Sequence, residues 1–168
     1  MGADSTNTGN AKVNAAIFGG VAVLWFLLDY ATKRLFDASE VGSLIWEGIP
    51  GLLDFRLVHN TGAAWGIFGD STFALGVFAI IFSILLLVVA HLRRERGSRL
   101  EMLGYGLVLA GGLGNAVDRF TSGYVVDFIE ATFIDFPVFN IADIGVTCGF
   151  VIIIACCLLL GGTRGEGE

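Results

Sequence analysis

Residues 111–145 read GGLGNAVDRFTSGYVVDFIEATFIDFPVFNIADIG. This stretch joins the end of one long apolar run to the start of another. It holds Asp118, Asp127, Glu130, Asp135 and Asp143, with Arg119, Asn115 and Asn140 among them. So many polar groups between apolar runs are costly at membrane depth, where an ionisable side chain marks a functional site by default. Asp127 and Asp143 are the leading candidates for such a site.

Composition agrees with a membrane setting. The 168-residue chain is 55% hydrophobic and 15% charged, with a mean hydropathy of +0.76. Soluble domains run at about 45–50% apolar and about 25% charged. The apolar residues fall in long blocks, which makes the chain one integral membrane domain. A net charge of −6 argues against a nucleic-acid partner. Cys148, Cys156 and Cys157 share one apolar run without metal-ligand spacing, and read as small core or lipid-facing residues.

Working outward from the central stretch, four transmembrane runs are expected, at about 15–36, 71–92, 100–118 and 138–161. Residues 1–14 are polar and read as a disordered tail. Their match to an M-G-x-x-x-[ST] acylation pattern is of the kind that arises by chance, and no removable leader is expected. Outer loops are expected at 37–69 and 119–137. In the first, Leu52 to His59 partly alternates and predicts a short strand. Trp46 and Trp65 suit an interfacial aromatic belt. Asp70-Ser71-Thr72 signals a helix start. The third run carries Gly104, Gly106, Gly111, Gly112 and Gly114, small residues that let membrane helices approach closely, so this helix is expected to be packed against the others.

Arg93, Arg94, Arg96 and Arg99 crowd the loop between the second and third runs. By the positive-inside rule that loop is cytoplasmic. Both termini are then cytoplasmic, and the loops holding the candidate site face outward. Lys33 and Arg34 lie on the wrong side for this rule. Asp29 and Lys33 sit four apart on one helical face, either as a pair at the membrane interface or turned inward to hold the active-site end together.

The chemistry follows from this topology. Asp127 is expected in the outer loop. Asp143 is expected about five residues into the fourth helix, about 8 Å below its start at 1.5 Å per residue. The two can meet at one level. Asn140, Asp143 and Thr147 are expected to share one helical face, and Asn115 and Arg119 another. Two carboxylates in a poorly solvated site share a proton, an arrangement suited to peptide hydrolysis. An ion- or proton-coupled carrier subunit would use intramembrane aspartates too, and a structural membrane protein would use polar groups to lock its helices. Asp118 reads as a structural partner of Arg119 or Lys33. His59 also reads as structural, while Asp54, Glu130 and Asp135 read as solvated loop charges.

Motifs in order along the chain narrow these alternatives. DYATK (29–33) matches a first-helix D-x-x-T-K, and NTGAAWGIF (60–68) an N-x-G-x-A-[FW]-G block. GGLGNAVDR (111–119) with GYVVDFI (123–129), and FNIAD (139–143), complete the set. Together they resemble the lipoprotein signal peptidases, the type II signal peptidases of bacteria. The departures are Tyr30, where Gln is commoner, and the two polar tails.

The resemblance implies an all-α membrane protein of four helices with a small β-rich extracytoplasmic region. It implies an aspartic endopeptidase of the bacterial inner membrane that cuts diacylglyceryl-prolipoproteins N-terminal to the lipidated cysteine. Asp127 and Asp143 match the catalytic pair. Asn60, Asn115, Arg119 and Asn140 match polar positions lining the site, and Asp29 and Lys33 a structural pair. No metal or cofactor is implied. Membrane lipid and globomycin-type inhibitors are the further partners expected, and the protein is expected to be a monomer.

Overall fold

The computed structural model describes residues 3–62 and 71–161. Its elements, in order, are α1 (Ala3–Phe36), β1 (Leu44–Ile49), β2 (Leu53–Asn60), α2 (Thr72–Arg93), α3 (Arg99–Thr121), β3 (Val125–Ala131) and α4 (Ile141–Gly161). All four helices are long and apolar enough to cross a membrane. At 1.5 Å per residue, the 22 residues of α2 reach about 33 Å, the thickness of a hydrocarbon core. Phe78, Ile81, Ile84 and Leu85 of α2 are exposed, as suits a helix whose outer surface meets lipid.

The third run is the axis of the molecule, as its glycines lead one to expect. The other three helices all pack on α3, which is by far the most buried of the four. Its glycines explain this. A Cβ at Gly111 would run into the Ala142 carbonyl of α4, and one at Gly114 into the Asp29 carboxylate of α1. At Gly106 a Cβ would meet the Phe18 carbonyl of α1. With no side chain at these points, α1 and α4 close onto α3 backbone to backbone. Next to the arginine loop, a second core gathers Leu86, Ala90, Met102, Tyr105, Val108 and Leu109.

The expected strand at 52–59 is present as β2, but it belongs to a larger sheet. The order is β1-β2-β3, antiparallel throughout. The small β-rich region that the resemblance implies is therefore present; residue alternation marked only β2 within it, and residues 125–131 are a strand rather than part of an open loop. Gly123 ends α3 in the left-handed region at φ 79°, where a side chain would be strained, and so lets the chain turn at once into β3. Val126 and Phe128 point from β3 into a core with Leu57, on which Phe36 and Phe55 pack. Phe36 stacks on Phe128 with ring centroids 4.2 Å apart. Because strand side chains alternate, Asp127 faces the opposite way from these two neighbours.

Several expectations need correction. The polar tail is not a disordered leader to the first span over its whole length: α1 reaches back to Ala3. Its Asn14 is buried and donates to the carbonyls of Arg94 (2.8 Å) and Gly97 (2.9 Å) in the arginine loop. The fourth helix begins at Ile141 rather than near Val138, because Phe139 is paired with β3 by two hydrogen bonds to Ile129. Glu130 is not a loop charge but a strand residue, pairing with Arg56 of β2 at 2.8 Å. Asp135 is exposed, as a solvated charge should be, and Asp54 is half-buried. Trp46 is exposed and stacked on Phe55. Trp65 and Asp70 lie outside the described residues; Ser71 precedes α2 but makes no side-chain cap.

Candidate active site

The site forms where β3, the sheet-facing end of α3 and the first turn of α4 meet. Each element delivers its residues for a local reason. Antiparallel pairing sets Asp127 opposite Val58 and Val125 opposite Asn60. That register brings the Asn60 side chain to Asp127, where its Nδ2 donates to Oδ2 at 2.9 Å. The bridge between Phe139 and Ile129 carries the chain past β3, so that Asn140 and α4 start beside Asp127.

Asn140 and Asp143 form a reciprocal cap. The Asp143 N–H donates to Asn140 Oδ1 at 3.0 Å, and the Asn140 N–H donates to Asp143 Oδ2 at 3.1 Å. This satisfies two helix-start groups in the manner of a capping box. Asn140 therefore does not share a helical face with Asp143, and Asp143 lies in the first turn rather than five residues in. The chemical consequence is the same convergence by a shorter route. With its oxygen committed to the cap, Asn140 turns its amide N–H groups to Asp127 Oδ1 at 2.7 Å and Asn115 Oδ1 at 3.1 Å. One fully buried side chain thus ties both aspartates together.

On α3, Asn115 Nδ2 donates to Asp143 Oδ1 at 2.8 Å. One turn on, Arg119 bonds through Nη1 to the Asn115 carbonyl and through Nη2 to the Gly62 carbonyl, each at 3.2 Å. Its Nε is buried and finds no partner among the described residues. Asn60, Asn115, Arg119, Asp127 and Asp143 line one cavity of about 530 Å³. Its remaining wall is largely apolar, from Phe136 and Phe139 to Ile144 and Val146, with Thr147 and Cys148 beyond. Asp127 is 3% exposed. Burial, and then the charge of Asp143, push its carboxyl up to about 7, against the opposing donors Asn60 and Asn140 and the Lys33 cation.

Beneath the site lies a buried ionic cluster. Lys33 contacts Asp29 Oδ2 at 2.9 Å and Asp118 Oδ2 at 3.0 Å, and all three side chains are at most 2% exposed. The inward of the two readings of Asp29 and Lys33 is the one realised. Asp118 takes Lys33 as its partner, with Arg34 at 3.4 Å, and makes no hydrogen bond to Arg119. It also accepts the Val126 N–H at 3.3 Å, and Asp29 accepts the Ala142 N–H at 2.8 Å. The cluster therefore holds α1, α3, β3 and α4 at the level of the site. Outside it, His59 is bonded to Asp37 at 2.7 Å and stacked on Tyr124, in keeping with a structural role.

The nine residues singled out from the sequence thus fall into one connected network. The Asp29–Lys33 pair and the Asp118–Lys33 contact follow the sequence reading; what it missed is the bonding that Asn140 and Asn115 make to the two aspartates. The pattern N-x-x-D at 140–143, just ahead of an apolar run, was an available signal of a helix start.

The family model for signal peptidase II matches residues 21–159. A lipoprotein signal peptidase of Microcystis aeruginosa is 39% identical over 142 residues, covering 83% of this chain and 87% of the relative. One of Gloeobacter violaceus is 40% identical over 152 residues, covering 88% and 82%. A solved structure described as a bacterial membrane enzyme superposes with a TM-score of 0.81 at 33% identity, over 88% of this chain and 91% of the other.

Proposed function

The chain belongs to the signal peptidase II family, and from that premise we propose that it is an aspartic endopeptidase acting on prolipoproteins. Its substrates carry diacylglycerol on a cysteine, and it cuts on the N-terminal side of that residue. The observation that carries this reading is Asn140, which bonds to both Asp127 and Asp143 at the edge of one cavity. Two carboxylates so placed divide the work of hydrolysis between them.

Asp143 takes the role of base. It accepts hydrogen bonds from Asn115 and from the Asn140 backbone, and it sits in the first turn of α4, where the helix dipole favours an anion. Asp127, more deeply buried and with its carboxyl pushed up to about 7, carries the proton. Asp143 removes a proton from water as the water oxygen attacks the scissile carbonyl carbon. Asp127 gives its proton to the carbonyl oxygen. When the tetrahedral gem-diol collapses, the C–N bond breaks, the proton held by Asp143 passes to the departing amine, and one gem-diol hydroxyl returns its proton to Asp127 as the new carbonyl forms. Arg119 Nε, without a partner among the described residues, is a spare donor for substrate beside this centre, and Asn60 and Asn140 hold Asp127 in place. Asp29, Lys33 and Asp118 support the site from below.

The apolar wall of the cavity suits a lipid-bearing substrate that arrives sideways in the bilayer. Burial of an acyl chain stabilises binding by about 0.8 kcal/mol per CH₂. It also sets the depth of the scissile bond, which is where orientation raises rate. On this reading the protein sits in the inner membrane with both termini cytoplasmic and the site at the outer face, takes globomycin-type peptides as inhibitors, and acts as a monomer. The test is cleavage of a diacylglyceryl-modified prolipopeptide and its unlipidated twin by purified protein in detergent. Cleavage of the lipidated peptide alone is expected, with chelator present and no transmembrane gradient. Equal cleavage of both refutes the lipid requirement. Cleavage of neither by folded protein refutes the peptidase reading.

A further inference from the structure

Lys33 is the one buried cation of the cluster, and its geometry exceeds what an ion pair needs. An ammonium has three N–H donors and no acceptor. Lys33 Nζ meets three oxygens: Asp29 Oδ2 at 2.9 Å, Asp118 Oδ2 at 3.0 Å and Asn115 Oδ1 at 2.8 Å. Two of these make a salt-bridged triad. The third is a neutral amide whose other end touches Asp143.

That third contact has a directional consequence. An amide presents an oxygen at one end and an NH₂ at the other. Because Lys33 is donor-only, the Asn115 atom facing it must be the oxygen, and Asn140 Nδ2 at 3.1 Å demands the same. The Asn115 NH₂ is then forced towards Asp143 Oδ1, 2.8 Å away. Rotated by half a turn, Asn115 would set its oxygen against the Asp143 carboxylate and its NH₂ against an ammonium. The positive charge on the oxygen side also polarises the amide, strengthening the donor it offers to Asp143. Other charges face this point too: Arg119 and Asp118 from α3, Asp127 from β3 and Asp29 from α1. None of them bonds to Asn115 Oδ1. Arg119 reaches only the Asn115 backbone carbonyl.

We propose that Lys33 is a positioning residue for the reaction: through Asn115 it orients Asp143 as the water-activating carboxylate. This rests on the reading of Asp127 and Asp143 as the reacting pair. Lys33 touches neither aspartate of that pair, so its effect falls on turnover rather than on capture of substrate. A purely structural role for the triad predicts no such split.

The test is steady-state kinetics on a diacylglyceryl-modified prolipopeptide in detergent, with thermal unfolding followed alongside. Lys33→Met removes the donor but leaves two buried carboxylates with only Arg34 beside them. The double variant Asp29→Asn/Lys33→Met removes one charge of each sign, and Asp118 keeps Arg34 and the Val126 N–H. In the double variant kcat should fall about tenfold or more, the loss expected for one buried hydrogen bond to a charged group, while KM changes less than about threefold. Wild-type kcat in the double variant overturns the proposal. So does a rise in KM that accounts for the loss, or a loss that disappears when assays are run well below each variant's own unfolding midpoint. Asp143→Asn serves as the control: if it stays active, the reacting pair itself is wrong, whereas an inactive Asp143→Asn beside a fully active double variant refutes the role of Lys33 alone.

Discussion

Asn140→Ala removes the side chain that joins the two aspartates, and the consequences can be worked through bond by bond. The fully buried amide caps α4 through Oδ1 and donates to Asp127 Oδ1 at 2.7 Å. Loss of a helix cap costs about 1 kcal/mol, and loss of a hydrogen bond to the protonated carboxyl about 0.5–1.5 kcal/mol. The variant should therefore be destabilised by about 1.5–2.5 kcal/mol. The effect on Asp127 has a definite sign. Burial raises its carboxyl and the Asn140 donor opposes that rise. Without the donor the carboxyl rises further, so the proton persists to higher pH. With Asp127 as the acid, the alkaline limb of the kcat/KM–pH profile, which reports the free enzyme, lies near pH 7 in the wild type. It should move up by about one to two units in the variant, since one unit corresponds to about 1.4 kcal/mol. The maximal rate should fall at the same time, because the two carboxylates lose their common anchor. The assay is kcat/KM against pH on a lipidated prolipopeptide, in a detergent that keeps the variant folded. An alkaline limb that stays put or moves down refutes Asp127 as the proton-bearing residue.

Asp127→Asn and Asp143→Asn should each abolish cleavage and leave a folded protein, checked by activity and by a cooperative melt; substantial activity in either ends the two-aspartate mechanism. With Cys148, Cys156 and Cys157 replaced, a cysteine at Ser122 should react with an impermeant thiol reagent from outside intact cells and one at Ser98 should not, and the reverse pattern inverts the proposed orientation.

The helices were legible because a membrane span is the simplest signal a sequence carries: about twenty apolar residues in a row. The α3 glycines were legible as a packing face for the same kind of reason, since small residues have little other use in mid-membrane. Strands are harder. In β3, five consecutive residues from Val125 to Ile129 are buried, so the run is apolar on both faces apart from Asp127 and lacks the alternation that reveals a strand. β1 is mostly exposed and alternates no better. The site aspartates stood out because charge is rare here, but their connection through Asn140 did not. A cap is defined by where a helix starts, and the helix start was displaced by Phe139 pairing with β3, a contact made across the fold.

Lys33 and Arg34 show why charge counting alone misleads near a membrane. The positive-inside rule weighs charges that stay in solvent at a loop. Lys33 is 1% exposed and shares its charge with Asp29 and Asp118, so it has no standing as a loop charge. Arg34 is 41% exposed but leans on Asp118 at 3.4 Å and lies over the Tyr30 ring. At the opposite end Arg93 is likewise neutralised, by Glu101 through two bonds of 2.8 and 3.0 Å, and Glu101 in turn takes the Tyr105 hydroxyl. What remains is Arg96 and Arg99 with Arg94, itself 3.6 Å from Glu95, on one side, against the ion-paired Arg34 and Arg56 on the other. Both neutralised cations have become internal struts instead: Glu101 and Arg93 join α3 to α2 at one end, and Lys33 joins α1 to α3 under the aspartates at the other. Buried ion pairs contribute little net stability once desolvation is counted, but breaking one leaves an uncompensated charge. Their value here lies in geometry, since a partner that must be met fixes where each helix stands against α3.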